Sequence, residues 1–418
     1  MRFEAAIRAQ VAALGASRVT VSDALGDLPA LKSGTVALVG IGASAMAARS
    51  AALAWRAAGL SAFAVTAPEL TMGGTAGIDV VVAISESGRS VETVASLQNL
   101  GGVATVGLTN NLASPLAGEV DVAVPLGCGE DSPAYTVGYT STLQALGLIG
   151  DHWSGRQTDW SSVPELAEAA LDLNAPVVAG AAESLGQSVA IDFVAAALSE
   201  ASAGEGALLL REEARVFTSA YETRSYLHGP MEALEPGTVG CVVIGDGREV
   251  QLAADIGRLG CPTLLITSLN EPAPAQHLSV ARLPNAAGLA AVLLEILPVQ
   301  QLAWALAEAR GLADGVFRNH QDDTKLPPTW GLVLRGTGTK PRQTKRGPSL
   351  KTCWTRSISI RTSSWFKCGA PCSARSTSAV GVRAAMRPGI AAMRFARTRA
   401  ATTTSPIWTN GTEGSGTA

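Results

Sequence analysis

Cysteine and histidine are scarce in this chain, with six Cys and four His among 418 residues. Cys128, Cys241, Cys261, Cys353, Cys368 and Cys372 form no CxxC pair, so neither a zinc site nor a disulfide framework is expected, and a reducing, cytoplasmic compartment fits. Long unbroken apolar runs are also missing, and no stretch approaches the roughly 18 residues of a membrane span. The opening MRFEAAIRAQ puts Glu4 and Arg8 where a signal peptide needs an apolar core, so neither export nor membrane insertion is expected. Aromatic residues make up 5% and charged residues 16%, against 47% hydrophobic residues and 44 Gly. This balance excludes a chain disordered throughout and points to an α/β protein built from small residues. The length calls for two domains and some additional material.

The net charge of -3 conceals a division. Fifteen of the 32 Lys and Arg fall from Arg335 onward, where Glu413 is the one acid, leaving 17 basic and 34 acidic residues before that point. Beyond Trp330, Ser, Thr and Arg dominate and apolar residues lose any period. Such a segment cannot bury enough apolar surface to offset its ordering entropy, so disorder is expected over 331–418. A basic tail could bind a polyanion. This one lacks the aromatic interleaving or fold motif of a dedicated nucleic-acid binder, and its abrupt start and composition look like out-of-frame translation of a GC-rich gene.

Ahead of the tail, strand-length apolar runs alternate with Ala-rich stretches of helical period. After an N-terminal helical segment (1–33), TVALVG (Thr35–Gly40), SAFAV (Ser61–Val65), VVVAI (Val80–Ile84), ATVGLT (Ala104–Thr109) and VDVAV (Val120–Val124) read as strands. Helices are expected from Ser44 to Ala58, Ser90 to Leu100 and Thr136 to Ile149. Strands with few alternating polar residues are covered on both faces, which implies a parallel sheet. The more polar stretch 151–185 reads as a linker. A second domain, 186–330, repeats the order, with VAIDFVAAAL (Val189–Leu198), a helix from Gly204 to Phe217, GCVVIG (Gly240–Gly245), a helix from Val250 to Leu259 and PTLLIT (Pro262–Thr267). A long helix from Ala287 to Arg310 follows. The fold class is α/β, with two tandem doubly wound parallel-sheet domains, 34–150 and 186–330, related by approximate duplication.

In such sheets, ligands bind beyond the carboxyl ends of the strands, where helix N-termini present free N–H groups to anions. Two loops qualify. GIGAS (Gly40–Ser44), with Gly42 and Ser44, turns tightly after a strand but lacks the third glycine of a dinucleotide fingerprint. SESGRS (Ser85–Ser90) offers the hydroxyls of Ser85, Ser87 and Ser90 around Gly88, a set suited to the oxygens of a phosphate monoester and equally to simple helix capping.

These loops, together with GLTNNLASPLA (Gly107–Ala117), resemble the sugar isomerase (SIS) domain family. EGALLLREEARVFTSAYETRSYLHGP (Glu205–Pro230) is similar to a run in the isomerase half of glutamine:fructose-6-phosphate aminotransferase. Glu212 and His228 hold the places of that family's Glu and of the His in its HGP tripeptide, at the family spacing. The resemblance implies flavodoxin-like SIS domains, in which Gly42, Ser44, Ser85, Ser87, Gly88 and Ser90 hold the sugar phosphate. It implies that Glu212 moves a proton between C1 and C2, and that His228 assists ring opening, in the site of a neighbouring subunit of a homodimer. GVFRNHQDDTKLP (Gly315–Pro327) resembles the segment that brings a Lys to the site, which makes Lys325 the candidate. Chemically, a partly desolvated carboxylate suits proton return to adjacent carbons, and His titrates near neutrality.

The departures are specific. Ala43 replaces a frequent hydroxyl, Glu86 a frequent Gln and Arg89 a frequent Glu. Glu86 would repel phosphate if it faced inward, and Arg89 could restore the attraction with a bidentate contact. Val137 stands where the aminotransferase has Lys, and a glutaminase domain is not present, so glutamine-dependent transfer is not expected. Isomerisation, ammonia-dependent deamination or amination, and deglycation of a hexose phosphate or amino-sugar phosphate remain, with no cofactor or metal implied. The alternative is a non-catalytic sugar-phosphate sensor, which would need neither Glu212 nor His228.

Overall fold

A computed structural model describes residues 1–31, 34–98, 100–270, 274–312, 317–319 and 321–327. The expectation of a disordered tail therefore lies outside the described residues. The chain opens with helix α1 (Phe3–Ala24), whose Phe3, Ala6, Ile7, Gln10, Ala13, Leu14, Ser17 and Val21 form one buried stripe at helical spacing. The first sheet follows as β1 (Thr35–Gly40), α2 (Ala43–Ala57), β2 (Ser61–Thr66), α3 (Ala67–Gly73), β3 (Val80–Ile84), α4 (Val91–Ser96), β4 (Ala104–Thr109), α5 (Pro115–Glu119) and β5 (Val122–Pro125). Helices α6 (Val137–Ser154) and α7 (Val163–Leu185) lead to β6 (Ala190–Ala195), α8 (Glu200–Glu212), β7 (Phe217–Glu222), α9 (Thr223–Leu227), β8 (Val239–Ile244), α10 (Arg248–Arg258), β9 (Thr263–Thr267), β10 (Leu278–Arg282) and α11 (Leu289–Ala309).

Each half forms a five-stranded sheet, ordered β2-β1-β3-β4-β5 and β10-β9-β8-β6-β7, with every pairing parallel. Taken in chain order, both read 2-1-3-4-5, the order of flavodoxin-type doubly wound sheets. Alternation along the strands sorts side chains to opposite faces. Val36 and Leu38 of β1 enter the large central core, while Ala37 and Val39 pack outward with Leu70, Val94 and Leu116 of α3, α4 and α5. The second sheet has the same division, with Val194, Cys241 and Val243 meeting Leu252 and Ile256 of α10 on its outer face.

Between the sheets lies a shared layer of helices. Gln10 of α1 accepts from Thr140 Oγ1 of α6 (2.9 Å) and donates through Nε2 to Gln300 Oε1 of α11 (2.7 Å), so the buried amide is satisfied and ties three helices. The stretch expected as a linker carries α7, which packs on α11 and α1. One apolar stretch does reach the length of a membrane span, contrary to expectation. Helix α11 is long and apolar enough to cross a membrane, and 78% of its apolar window is buried inside the protein, as befits a helix at the centre of two sheets.

Two strands escaped the sequence reading. The helix expected from Gly204 to Phe217 ends at Glu212, and after Arg215 at φ 54° the chain enters β7 at Phe217. Strand β10 was also missed. Both lie at edges of the second sheet, where one flank lacks a partner and exposed and half-buried positions mix polar and apolar residues.

Candidate active site

The loops after β1, β3 and β4 converge at the carboxyl ends of the first sheet. Gly42, at φ 60°, sits before α2, and Ser44 lies half-buried in its first turn. In the β3–α4 loop, Ser85 is 2% exposed; its N–H donates to Leu108 O (3.1 Å) and its hydroxyl to Ser90 Oγ (3.1 Å). Ser90 stands at the N-cap of α4 but makes no side-chain capping bond. The helix itself is shorter than expected, ending at Ser96 rather than Leu100. The Ser90 hydroxyl is thus not used as a cap, while Ser85 Oγ accepts from Ser90 N–H and Ser87 Oγ from Arg89 N–H, both at 3.4 Å. Gly88 turns the loop at φ 64°, and a Cβ there would overlap Ser114 at the start of α5.

A segment more than 230 residues further along the chain completes the loop. Val91 N–H donates to Thr324 O (3.2 Å), Leu326 N–H to Arg89 O (2.8 Å), and Ser90 pairs antiparallel with Lys325. This short clamp directs Lys325 Nζ to Ser87 Oγ (3.4 Å) and Ser90 Oγ (3.5 Å) and leaves it 5.8 Å from the Tyr135 ring centroid. Arg89 behaves differently from expectation. Its Nε donates to Leu326 O (2.5 Å), so the guanidinium anchors the clamp.

The carboxylates of Glu86, Asp131 and Glu212 and the phenol of Tyr135 gather at this loop. Glu212, half-buried at the end of α8, has its pKa pushed up to about 7, by burial first and by neighbouring Glu213, with Lys325 opposing. Burial, together with Asp131, also raises the pKa of Glu86, against the influence of Asn110, Lys325 and Tyr135. Tyr135 is raised to about 12 by burial and by Glu86, and Glu212 also acts on it. Lys325 is an exposed residue, yet desolvation around its ammonium lowers its pKa; Glu86, Glu92 and Glu212 oppose that and Arg89 adds to it.

Behind them, Glu205 lies about two helical turns before Glu212 and is 3% exposed with Oε2 unpartnered; burial, then Glu212, raises its pKa well above the usual range. A hollow lined by Ser44, Glu86, Tyr135, Gly138, Tyr139 and Thr142 opens beside the loop. Asp131 shapes its rim by accepting from the N–H groups of Thr136, Val137 and Gly138 at the start of α6. Tyr135, Tyr139, Asp131 and Glu205 were not foreseen as site residues. Asp131, Tyr135 and Tyr139 come from one stretch around the start of α6 that carries no quoted motif, whereas Glu205 opens the EGALLLREE run on α8, where the resemblance drew attention to Glu212 alone.

His228 stands apart. It is exposed at the end of α9 and is not among the charges acting on Glu212, Glu86 or Lys325. A larger hollow lies at the corresponding end of the second sheet, but its carboxylates are already engaged. Asp246 accepts from Thr267 Oγ1 (2.6 Å) and Ser268 N–H (2.8 Å), and Glu295 from the hydroxyls of Ser199 and Ser202 (both 2.7 Å). Among the described residues no group of three or more His, Cys, Asp and Glu is placed to hold a metal.

The hydroxyl loop, the glycine turn before α2 and the 2-1-3-4-5 sheet fall within residues 31–150, which match the sequence profile of the SIS domain. The chain carries a SIS domain. Beyond that domain the likeness continues. A glutamine--fructose-6-phosphate aminotransferase [isomerizing] of Pyrobaculum aerophilum is 28% identical over 257 residues, which are 58% of this chain and 42% of that protein. The chain thus spans about two fifths of the length of that curated relative. The C-terminal domain of glucosamine-fructose-6-phosphate aminotransferase from Francisella tularensis superposes with a TM-score of 0.64 at 20% identity, covering 72% of this chain and 95% of that one. Glucosamine-6-phosphate deaminase from Thermotoga maritima gives 0.56 at 20% identity, over 73% and 96%. At these identities the structural likeness speaks for the fold; the SIS-domain loops speak for where the site lies.

Proposed function

We propose that this chain is an enzyme of the aldose–ketose isomerase or amino-sugar-phosphate deaminase type, acting on a hexose phosphate or amino-sugar phosphate without glutamine. The observation that carries the reading is Glu212. A half-buried carboxylate whose pKa is pushed up to about 7 lies within electrostatic reach of Lys325, which the clamp holds on the hydroxyls of Ser87 and Ser90. A base that must take a proton from one carbon and return it to the next works best when its pKa is near the working pH.

In this reading, Ser87, Ser90, the Gly88 turn and Lys325 hold the phosphate. Ser85, buried and bonded to Ser90, positions that hydroxyl, and Ser44 faces the sugar. Glu212 accepts the proton from C2 of the open-chain sugar and delivers it to C1, or the reverse, so the carbonyl moves without net oxidation. With an amine at C2, hydrolysis of the resulting imine consumes water and releases ammonia. His228, exposed and remote from this cluster, would serve ring opening in the site of a neighbouring copy. Val137, buried in the first turn of α6, brings no amine to the site, in keeping with a glutamine-independent reaction.

The Glu212→Gln variant tests the reading. It should bind fructose-6-phosphate or glucosamine-6-phosphate as the wild type does in a thermal-shift assay, and lose turnover by roughly a thousandfold, within the range assigned to general acid–base catalysis. Undiminished turnover in the variant would remove Glu212 from the role. A wild type that binds these compounds but turns over none, with ammonia present, would make the protein a sugar-phosphate sensor.

A further inference from the structure

We propose that Tyr135 is a further catalytic residue, whose phenol, in the wall of the hollow beside the hydroxyl loop, moves a proton from the C2 substituent to O1 while Glu212 moves the carbon-bound one. This deepens the proposed function and rests on it.

An aldose–ketose shift relocates two protons, and Glu212 accounts for one. When Glu212 takes the proton on C2, the C–H pair becomes the C1=C2 double bond and the carbonyl pair moves onto O1, which is left as an oxyanion. That charge needs a donor, and the group on C2 must shed a proton before its own carbonyl or imine forms. A phenol does both. It gives its proton to O1 and takes the one on the C2 oxygen or nitrogen, as Glu212 delivers its own to C1. Glu212 and Tyr135 end as they began, and no oxidant or reductant is consumed.

Tyr135 stands two residues before α6, half-buried, and lines the hollow with Ser44 and Glu86. Towards the hydroxyl loop, its ring lies 5.8 Å from Lys325 Nζ, the amine held on Ser87 and Ser90, and Glu212 is among the charges that act on it. Ser87 and Glu86 are its hydrogen-bonding neighbours. Glu86 accepts from it, so the phenol hydrogen is already directed at a carboxyl oxygen, the partner that the oxyanion would replace. The segment is held in place from below: Asp131 accepts from Thr136 Oγ1 and from Gly138 N–H, both at 2.7 Å. A donor fixed in advance costs no reorganisation as charge develops on O1. Neighbouring donors are engaged elsewhere. Arg89 Nε is bonded to Leu326 O, Ser85 to Ser90, and Thr142 Oγ1 to Gly138 O. Burial first, and then Glu86, push the phenol pKa up to about 12, so the group keeps its proton across the working range.

Steady-state kinetics on the full chain decide the matter, with fructose-6-phosphate or glucosamine-6-phosphate, whichever the wild type turns over. Tyr135→Phe removes one oxygen and should lower kcat about a hundredfold with KM within about threefold, as loss of a donor to a developing oxyanion does. The pH limb of apparent pKa about 7 should remain, because Glu212 is untouched. A kcat within about threefold of wild type overturns the inference, and so does a loss confined to KM, which would make Tyr135 a phosphate contact. Where the phenylalanine variant does not fold, Tyr135→Leu is read by the same two constants. Either overturning result leaves the phosphosugar reading in place, because the wild type turns over. A wild type that binds these compounds and converts none refutes that reading, and the inference with it.

Discussion

At the scale of single residues, Glu212 carries the pH behaviour expected of this protein. Its raised pKa, about 7, means that burial holds the carboxyl protonated below neutrality, and the base form appears only as pH rises through that value. Turnover with a sugar phosphate should therefore climb with pH across 6 to 8 along a limb of apparent pKa about 7, which a kcat/KM profile would read directly. A limb near the ordinary carboxylate value would indicate that substrate-free burial does not govern the titration. Gly88 makes a different prediction. At φ 64°, and with Ser114 where a Cβ would go, Gly88→Ala should cost on the order of 2 kcal/mol or more in stability, from left-handed backbone strain plus the overlap. Urea denaturation would measure it, and a loss below a few tenths of a kcal/mol would show that the loop relaxes freely.

At the scale of elements, the clamp over 321–327 is the feature that joins distant parts of the chain. Arg89 is spent on it, and Leu326, 7% exposed, plugs it into the outer core with Leu116 and Val94. Leu326→Ala should release the segment locally and raise KM for the sugar phosphate about tenfold, since Lys325 loses its place on the hydroxyls. Global stability should change little, because the segment can open without unfolding either sheet. A fall in the melting temperature of many degrees, with KM unchanged, would show that the clamp is structural instead. The missed edge strands β7 and β10 belong to this scale as well. Strands inside a sheet declare themselves as apolar runs, whereas VFTSAYE and LSVAR carry mixed residues because one side of the strand has no neighbour.

At the scale of the whole molecule, the two sheets share one interior. A single core joins β1 and β3 residues such as Leu38 and Val82 to β6 and β8 residues such as Phe193 and Ile244 through α1, α6, α7 and α11. Helix α11 buries residues around its full circumference, including Leu293, Ile296, Leu297 and Leu302, so neither half can keep its inner face dry without the other. Residues 1–327 should consequently unfold in one cooperative transition, with tryptophan fluorescence and far-ultraviolet circular dichroism coincident. Two separated transitions would mean that the halves hold separate cores.

Much of this was legible along the chain. Apolar runs located the central strands because burial on both faces leaves no room for alternation, and the repeated order of elements announced the duplication. The SESGRS loop, Glu212 and Lys325 could be named from their resemblance to a family. Their assembly could not, because Lys325 reaches the loop through a backbone pairing that no local pattern encodes, and Asp131, Tyr135 and Tyr139 join the site from the stretch leading into α6. The fold class and the position of the hydroxyl loop can be read from the chain alone, because both follow from periodicity and local turn chemistry. That Arg89 anchors a clamp, that Glu86 lines a hollow without an ion-paired cation among the described residues, and that His228 is exposed at the end of α9 emerge from the folded chain. Those outcomes depend on which distant segments exclude water from a charge, and that is a property of packing.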